Sequence, residues 1–423
     1  MNDRAPAIPI RMDVFRTAIP MRGFEHAAAS REVAEAVVVR VEFATGAVGW
    51  GETLPRPYVT GETIDSVLAD LRDVFWPAMA GRPVRAKDVG LIAARHRDSA
   101  RRPPVGAPQA TGAAPRRRCL NAAACAIELA LQNRDSHLFS QDEEIGDCPS
   151  FTCRVSGVLG SSDPARTARR LRLMRWFGLR DFKLKLGLAD DVDRENLRVV
   201  WRRLGGAIRR GTCTLRVDAN GAWEADSVPD RVRQLKDFGV CVVEQPIAGP
   251  IAGPVAAGPA SAGSAVASDS TGRAAALVEL APKCDLPLMA DESLVTPDDA
   301  AVLLQEPRRI WWNIRISKNG GIGPALALCR LAGEKGVPFV VGCLVGESGI
   351  LSAAQRRLLE AAPTPRFVEG NYGRFLLADD LTRPSPRFGY GGRLKPLRGA
   401  GLGVEVDEGK LRRYGTLVET LTG

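Results

Sequence analysis

Leu215-Arg216-Val217-Asp218-Ala219-Asn220 carries a β-rich run into a carboxylate and then breaks at Gly221. The same event recurs twice. Cys241-Val242-Val243-Glu244 runs into Gln245-Pro246, and Leu288-Met289-Ala290-Asp291 runs into Glu292-Ser293. Upstream, Phe182-Lys183-Leu184-Lys185-Leu186-Gly187 puts lysines at the same kind of strand end. Downstream, Trp312-Asn313-Ile314-Arg315-Ile316-Ser317-Lys318 brings one more. Short apolar runs that each end in a charge and a turn read as strands building one site at a shared edge.

Outward from this stretch, residues 149–378 alternate short apolar strands with helical periodicity, the signature of βαβ units and a parallel sheet. Strands are expected near 151–156, 181–186, 213–218, 240–244, 286–291, 310–315, 338–343 and 366–369, with helices such as 163–177, 190–204 and 322–334 between them. Eight such units make an α/β fold, a (β/α)8 TIM-type barrel, at roughly 30 residues per unit. Asp218 to Glu244 is 26 residues, Asp291 to Lys318 is 27 and Lys318 to Glu347 is 29. Glu244 to Asp291 is 47 residues, and the surplus is the Gly-, Pro- and Ala-rich run of 249–270. Too little side-chain bulk to pack makes it a flexible insertion in the loop after the fourth strand.

Residues 1–148 read as a small α+β domain. Strand-like alternation covers Ile8–Phe15 and Glu35–Phe43, with Val37, Val39 and Val41 on one face, and the polar, Gly-containing 18–31 reads as their connection. Helical periodicity follows over 64–79, 86–96 and 120–133, interrupted by a Pro/Gly/Ala-rich excursion at 97–115. The tail, 379–423, reads as the chain returning from the barrel to complete this N-terminal capping domain.

Length and composition suit two packed domains: 423 residues, 45% hydrophobic and 25% charged. The net charge of +9 gathers in Arg95, Arg97, Arg101, Arg102, Arg116, Arg117 and Arg118 and in Arg169, Arg170, Arg172 and Arg175, without interleaved aromatics. That pattern reads as solvated arginine, and nucleic acid is not expected as a partner. No apolar run is long enough for a membrane span, the start lacks a signal-type apolar segment, and the nine Cys are scattered. A reducing, cytoplasmic setting is expected.

Strand C-termini of a parallel barrel share one face, so acids there converge. Asp218, Glu244 and Asp291 make an all-oxygen set suited to Mg²⁺, without the His or Cys that zinc or copper would favour. One Asp at a strand end is usually a helix cap; three at matching positions with lysines on both flanks are read as a metal site. Lys183 and Lys185 are two apart and share a strand face, where burial requires opposite charge. Lys318, expected to end a strand across the barrel, faces Lys185 over that site. Two amines around a carboxylate held at a metal suit proton abstraction alpha to a carboxyl group, with the lysines as base and acid.

The order of KLK at 183–185, VDAN at 217–220, EQP at 244–246, ADES at 290–293 and NIRISKNGG at 313–321 resembles the enolase superfamily, and within it the muconate cycloisomerase subgroup. GWGE at 49–52, GCLVGES at 342–348 and EGNYG at 369–373 extend the resemblance over nearly the whole chain. It implies Lys185 and Lys318 as the acid/base pair, with Lys183 on the substrate carboxylate. It implies Asp218, Glu244 and Asp291 as Mg²⁺ ligands braced by Asn220, and a Lys base with Mg²⁺ is a known pattern of this superfamily. It also implies Glu369 as a substrate contact and 18–31 and 52–60 as specificity loops, where Phe24, His26, Arg56 and Tyr58 are candidate contacts. Two departures stand out: Arg315 lies where subgroup members often have lysine, and Glu369-Gly370-Asn371 replaces the Asp-x-Asp of dipeptide epimerases. The expected partners are a small-molecule carboxylate and further copies of the chain in a homo-oligomer, with no membrane.

The expected activity is thus that of an isomerase, a cycloisomerase or a racemase or epimerase. A syn-dehydration like that of o-succinylbenzoate synthase and a non-catalytic binding barrel are the alternatives. Retention of all three acids and both opposed lysines speaks against the last.

Overall fold

The computed structural model describes residues 7–26, 29–99, 119–133, 153–248 and 270–423, leaving the side chains of 23–31 and 98–99 undescribed. The excursion expected at 97–115 and the insertion at 249–270 therefore lie almost wholly outside the described residues, as does the boundary at 148.

The chain opens with a long antiparallel ribbon, β1 (Pro9–His26) and β2 (Ala29–Phe43), extended by β3 (Val48–Thr53). The expected connection at 18–31 is instead strand: Ala18 pairs with Glu35, Phe24 with Arg31 and His26 with Ala29, across a bulge between Pro20 and Phe24. Main-chain pairing needs no apolar side chains, so a polar composition did not reveal it. After Pro55 come α1 (Pro57–Thr60) and then α2 (Ile64–Asp70), Leu71–Phe75 in π geometry and α3 (Trp76–Met79), a near-continuous helix over 64–79. A capping box of Thr63 and Ser66 starts it. Next come α4 (Ala86–Ser99) and α5 (Asn121–Asn133).

β2 is buried on both faces. Val37, Val39 and Val41 join the capping-domain core with Met12, Phe75, Met79 and the alanines of α5, while Ala34, Ala36 and Val38 join the barrel-side core. The small residues of NAAACAIELALQN let α5 lie directly on β3. A Cβ at Gly51 would stand 1.9 Å from the Ala126 carbonyl oxygen, and one at Gly49 would stand 2.0 Å from that of Ala130.

The barrel is one eight-stranded parallel sheet in chain order. Its strands are β4 (Gly157–Leu159), β5 (Asp181–Lys185), β6 (Thr214–Asp218), β7 (Val240–Glu244), β8 (Leu288–Ala290), β9 (Ile310–Ile314), β10 (Phe339–Val341) and β11 (Phe367–Val368). The first strand lies later than the expected 151–156, and Val155 bridges Val368 in parallel to close the ring. Helices α6 (Pro164–Trp176), α7 (Asp190–Arg209), α8 (Val228–Lys236), α9 (Ser270–Leu280), α10 (Pro297–Leu303), the single turn α11 (Ile316–Asn319), α12 (Ile322–Lys335) and α13 (Gly349–Ala361) fill the connections. The tail contributes α14 (Gly373–Leu376), a short antiparallel pair of β12 (Thr382–Arg383) and β13 (Glu405–Val406), and α15 (Glu408–Tyr414). It ends in β14 (Gly415–Thr422), which pairs antiparallel with β1.

Capping-domain carboxylates plug the N-termini of barrel helices, where backbone N–H groups lack partners within the helix. Glu52 of β3 accepts from Ser348 N at 3.0 Å, Ser348 Oγ at 2.7 Å and Leu351 N at 3.0 Å, at the start of α13. Glu128 of α5 accepts from Ile322 N at 3.0 Å and Gly323 N at 2.9 Å, at the start of α12.

Candidate active site

Period-two alternation sends Lys183 and Lys185, Arg216 and Asp218, and Val242 and Glu244 into the barrel from neighbouring strands. The lower layer is apolar, made of Val242, Met289, Val340 and Phe367. Above it the interior is charged. Lys183 Nζ lies 3.0 Å from Glu244 Oε2, 2.7 Å from Glu369 Oε2 and 3.3 Å from Asp218 Oδ2. Lys185 Nζ donates to Asn220 Oδ1 at 2.7 Å and Asp218 Oδ2 at 3.1 Å. Asn220 is held at a left-handed φ of 47° and Gln245 at 36°, so both strand ends turn sharply just after their acids. Asp218 Oδ1 accepts from Asn220 N at 3.0 Å, fixing that turn.

Lys318 is not on a strand. It sits in α11, just beyond β9, and its Nζ donates to Asp291 Oδ1 at 3.0 Å, Asp291 O at 2.7 Å and Asn313 O at 2.7 Å. The capping domain sets this turn in place. Asn121 Nδ2 donates to Lys318 O at 2.8 Å, and Thr53 Oγ1 and Leu54 N meet Ser317 Oγ at 2.9 and 3.0 Å. β5, which ends in Lys185, and β9, followed by the turn that carries Lys318, thus flank the acids at the ends of β6, β7 and β8, with Asp291 one residue past the end of β8.

Three groups at this centre were not anticipated as site residues. Arg216, fully buried, donates to Glu369 Oε1 at 2.9 Å and lies over the Phe367 ring at 4.3 Å. Asn313 Nδ2 donates to Glu244 Oε1 at 2.7 Å, and Arg315 Nη2 reaches Glu244 Oε1 at 3.3 Å and also Asp291. The first two have the same signal as the lysines, an inward position two residues before a strand-end charge. Gln245 Oε1 accepts from Asp291 N at 3.1 Å and Ser293 N at 3.2 Å, tying the β7 and β8 ends together.

Burial works against these charges and the cations answer it. Burial pushes Asp218 up, but Lys185, Lys183 and Arg315 outweigh it and hold it well below the usual carboxylate range. Glu369 is likewise drawn down to about 2, burial being overcome by Lys183 and Arg216. Glu244 goes the other way, pushed up to about 7 by burial and the neighbouring Asp218. Lys183 is held above its ordinary value because Glu244, Glu369 and Asp218 outweigh burial. For Lys318, burial wins over Asp291 and draws the ammonium down.

Asp218, Glu244 and Asp291 fit a hard dication by donor type, since all are buried carboxylates with no nitrogen or sulfur among them. As they stand, Lys183 bridges Asp218 and Glu244, and Arg315 bridges Glu244 and Asp291. Among the described residues no three Asp, Glu, His or Cys groups close to metal-ligating positions.

A cavity of about 490 Å³ opens onto this centre, with Lys183, Lys185, Arg315, Glu347 and Glu369 in its lining. Lys318 is not in the lining; Arg315 occupies that side. Arg56 and Tyr58 are also absent from it. The Arg56 guanidinium donates to Glu35 O at 3.2 Å, Pro55 O at 3.0 Å and Val345 O at 3.1 Å, clasping the ribbon to a barrel loop. Tyr58 packs against the barrel-side core. Phe24 and His26 lie in β1, with side chains outside the described part. From the 18–31 stretch, Arg22 reaches the cavity rim. Among the described residues no helix is long and apolar enough to cross a membrane.

The Enolase C-terminal domain-like family matches residues 165–254 and 269–410, more than half of the chain, and the match breaks within the 249–270 stretch. The chain is 27% identical over 353 residues to the L-Ala-D/L-Glu epimerase of Bacillus subtilis, covering 82% of this chain and 83% of that protein. It is 25% identical over 394 residues to muconate cycloisomerase 1 of Acinetobacter baylyi, covering 89% and 91%. In fold it is similar to the crystal structure of muconate lactonizing enzyme from Pseudomonas fluorescens, with a TM-score of 0.76 at 22% identity over 97% of this chain and 100% of that one. The chain belongs to the enolase superfamily of enzymes, in its muconate cycloisomerase-like subgroup.

Proposed function

We propose that this chain is a Mg²⁺-dependent enzyme that removes a proton alpha to a substrate carboxylate and passes through an enediolate, in a cycloisomerisation or a racemisation or epimerisation. The observation that carries this reading is the placement of Lys185 at the end of β5 and of Lys318 just beyond β9, on opposite walls of one barrel, with Asp218, Glu244 and Asp291 between them. Those three acids would hold Mg²⁺, whose charge offsets the second negative charge that develops on the carboxylate as the proton leaves.

The residues are not equivalent, and this favours a reaction led by one lysine. Lys185 faces the cavity and is the group placed to move the alpha proton, with Asn220 and Asp218 orienting its Nζ. Lys318 has all three ammonium protons committed to oxygens of Asp291 and Asn313, and acts as a fixed cation beside the developing charge. A cycloisomerase, or a syn-dehydratase like o-succinylbenzoate synthase, works with that asymmetry. A two-lysine racemisation is the second reading, carried by relatives named as epimerases and racemases. A dipeptide substrate is disfavoured. Glu369 is neutralised by Lys183 and Arg216, and Asn371 is tied to Gln355 and Arg356, so Glu369-Gly370-Asn371 offers no uncommitted anion to a substrate ammonium.

The test is wash-in of solvent deuterium at the alpha position, followed by NMR over a panel of carboxylates. Lys185→Ala should abolish exchange and Lys318→Ala should slow it without making it specific for one enantiomer. If each variant retains exchange from the opposite enantiomer only, the racemase reading replaces the one-lysine reading. Undiminished exchange in both would end the proton-transfer assignment.

A further inference from the structure

The cavity at the active site is not confined to the barrel mouth. From Lys183 and Lys185 it runs past Val158 and Tyr372, beside the seam where the first and eighth strands meet, to the space between α6 and residues 370–388. Its outer part is apolar, walled by Leu173, Met174 and Phe177 from the α6 side and by Phe375, Leu377 and Phe388 from the other. The aromatics form a fixed wall. Phe177 meets Phe388 edge-on at 5.9 Å, and Phe375 lies 5.3 Å from Phe388, which packs on Tyr372 at 5.2 Å.

Large apolar side chains stay open to solvent at this end: Trp176 is 80% exposed, Leu173 57% and Phe375 47%. Clustered exposure of that kind marks a surface that binds something apolar. The cavity is therefore polarised, with Lys183, Lys185 and Arg315 at its inner end and a mainly apolar outer part, and about 490 Å³ is far more than a carboxylate and its alpha carbon fill. A compact diacid would press its second carboxylate against hydrocarbon, which is costly without a partner. Arg22 and Arg170 also belong to the lining, but Arg22 is solvent-exposed and borders a neighbouring polar cleft, and Arg170, half-buried on α6, is already engaged elsewhere.

We infer that the substrate is a carboxylate bearing a bulky apolar tail, an aryl or branched alkyl group, which lies in the cleft between α6 and residues 370–388. This rests on the proton-transfer reading for the head of the substrate and adds what the tail must be.

The experiment is calorimetric binding of butyrate, 6-phenylhexanoate, its amide and suberate to the full chain in saturating Mg²⁺. The phenyl acid should bind roughly tenfold or more tighter than butyrate, the scale expected for burying one aromatic ring. The amide should bind more weakly than the acid, because the inner end recognises charge. Leu173→Asp, at an exposed helix position, and Phe375→Ser should each erase most of the phenyl advantage while leaving butyrate binding unchanged. Equal affinity for butyrate and the phenyl acid, tighter binding of suberate, an amide that matches the acid, or an advantage that survives both variants would overturn the inference. Proton transfer is judged by deuterium exchange and the tail by this affinity ratio, so either can fail alone.

Discussion

Glu52 is a buried carboxylate at the joint between the two domains, and its ionisation should make stability depend on pH. Burial pushes it up to about 7 from an ordinary 4.5, despite the donors of Ser348 and Leu351. Such a displacement makes the ionised folded state costlier by ~3 kcal/mol relative to the unfolded chain. The sign follows from proton counts. Between about 4.5 and about 7 the folded protein holds a proton on Glu52 that the unfolded chain has released. Stability therefore falls as pH rises through that window, and the loss is complete by about pH 8. Glu52→Gln cannot ionise. Its amide oxygen still accepts one of the α13 donors but its NH₂ faces another, a cost of ~1–2 kcal/mol. At pH 5 the parent should be the more stable protein, and at pH 8 the order should narrow or reverse by ~3 kcal/mol. Urea unfolding of both proteins at the two pH values measures this as a difference of differences. Glu128, also pushed up to about 7 by burial, is present in both and cancels. A parent-minus-variant gap that is constant with pH, or wider at pH 8, would refute the reasoning. It would mean that the donors at the start of α13 outweigh burial and keep Glu52 ionised.

Three other outcomes are expected. Glu244→Gln should abolish Mg²⁺ binding in a calorimetric titration while circular dichroism stays that of the parent, because Gln preserves the shape of a side chain already packed among Lys183, Asn313 and Arg315; parent-like Mg²⁺ binding would remove Glu244 from the proposed ligand set. Gly51→Ala should cost ~3 kcal/mol or more, or prevent soluble expression, since its Cβ would meet the Ala126 carbonyl oxygen at 1.9 Å. Gly90→Ala, in open space within α4, should instead raise the thermal midpoint, by ~0.5–1 kcal/mol of stability.

Sequence by itself determined the barrel and the residues at its charged centre. Strand and helix periods are local properties, and parallel strands bring their C-terminal ends to one face, so period and order alone place Lys183, Lys185, Asp218, Glu244 and Asp291 together. The tail reads only as a Gly-rich stretch leading back to the first domain; the pairing of β14 with β1 is a long-range contact that its sequence does not specify. Arg216 and Asn313 were within reach of the same period-two argument.

Tertiary structure alone decided the rest. That 18–31 is ribbon depends on main-chain pairing, which is blind to the polar side chains that suggested a loop. Arg56 has the composition of a substrate contact, but which carbonyls surround its guanidinium depends on how the ribbon meets the loop after β10. The roles of Glu52 and Glu128 required knowing which helix N-termini arrive beside them. Whether Lys318 faces the cavity or lies behind Arg315 is set by the turn of α11 and by Asn121 and Thr53 from another domain. The apolar cleft has no sequence signature at all, because its two walls, α6 and residues 370–388, become neighbours only where the eighth strand closes on the first. Contacts between distant segments depend on the whole packing arrangement, whereas periodicity is written one turn or one strand at a time.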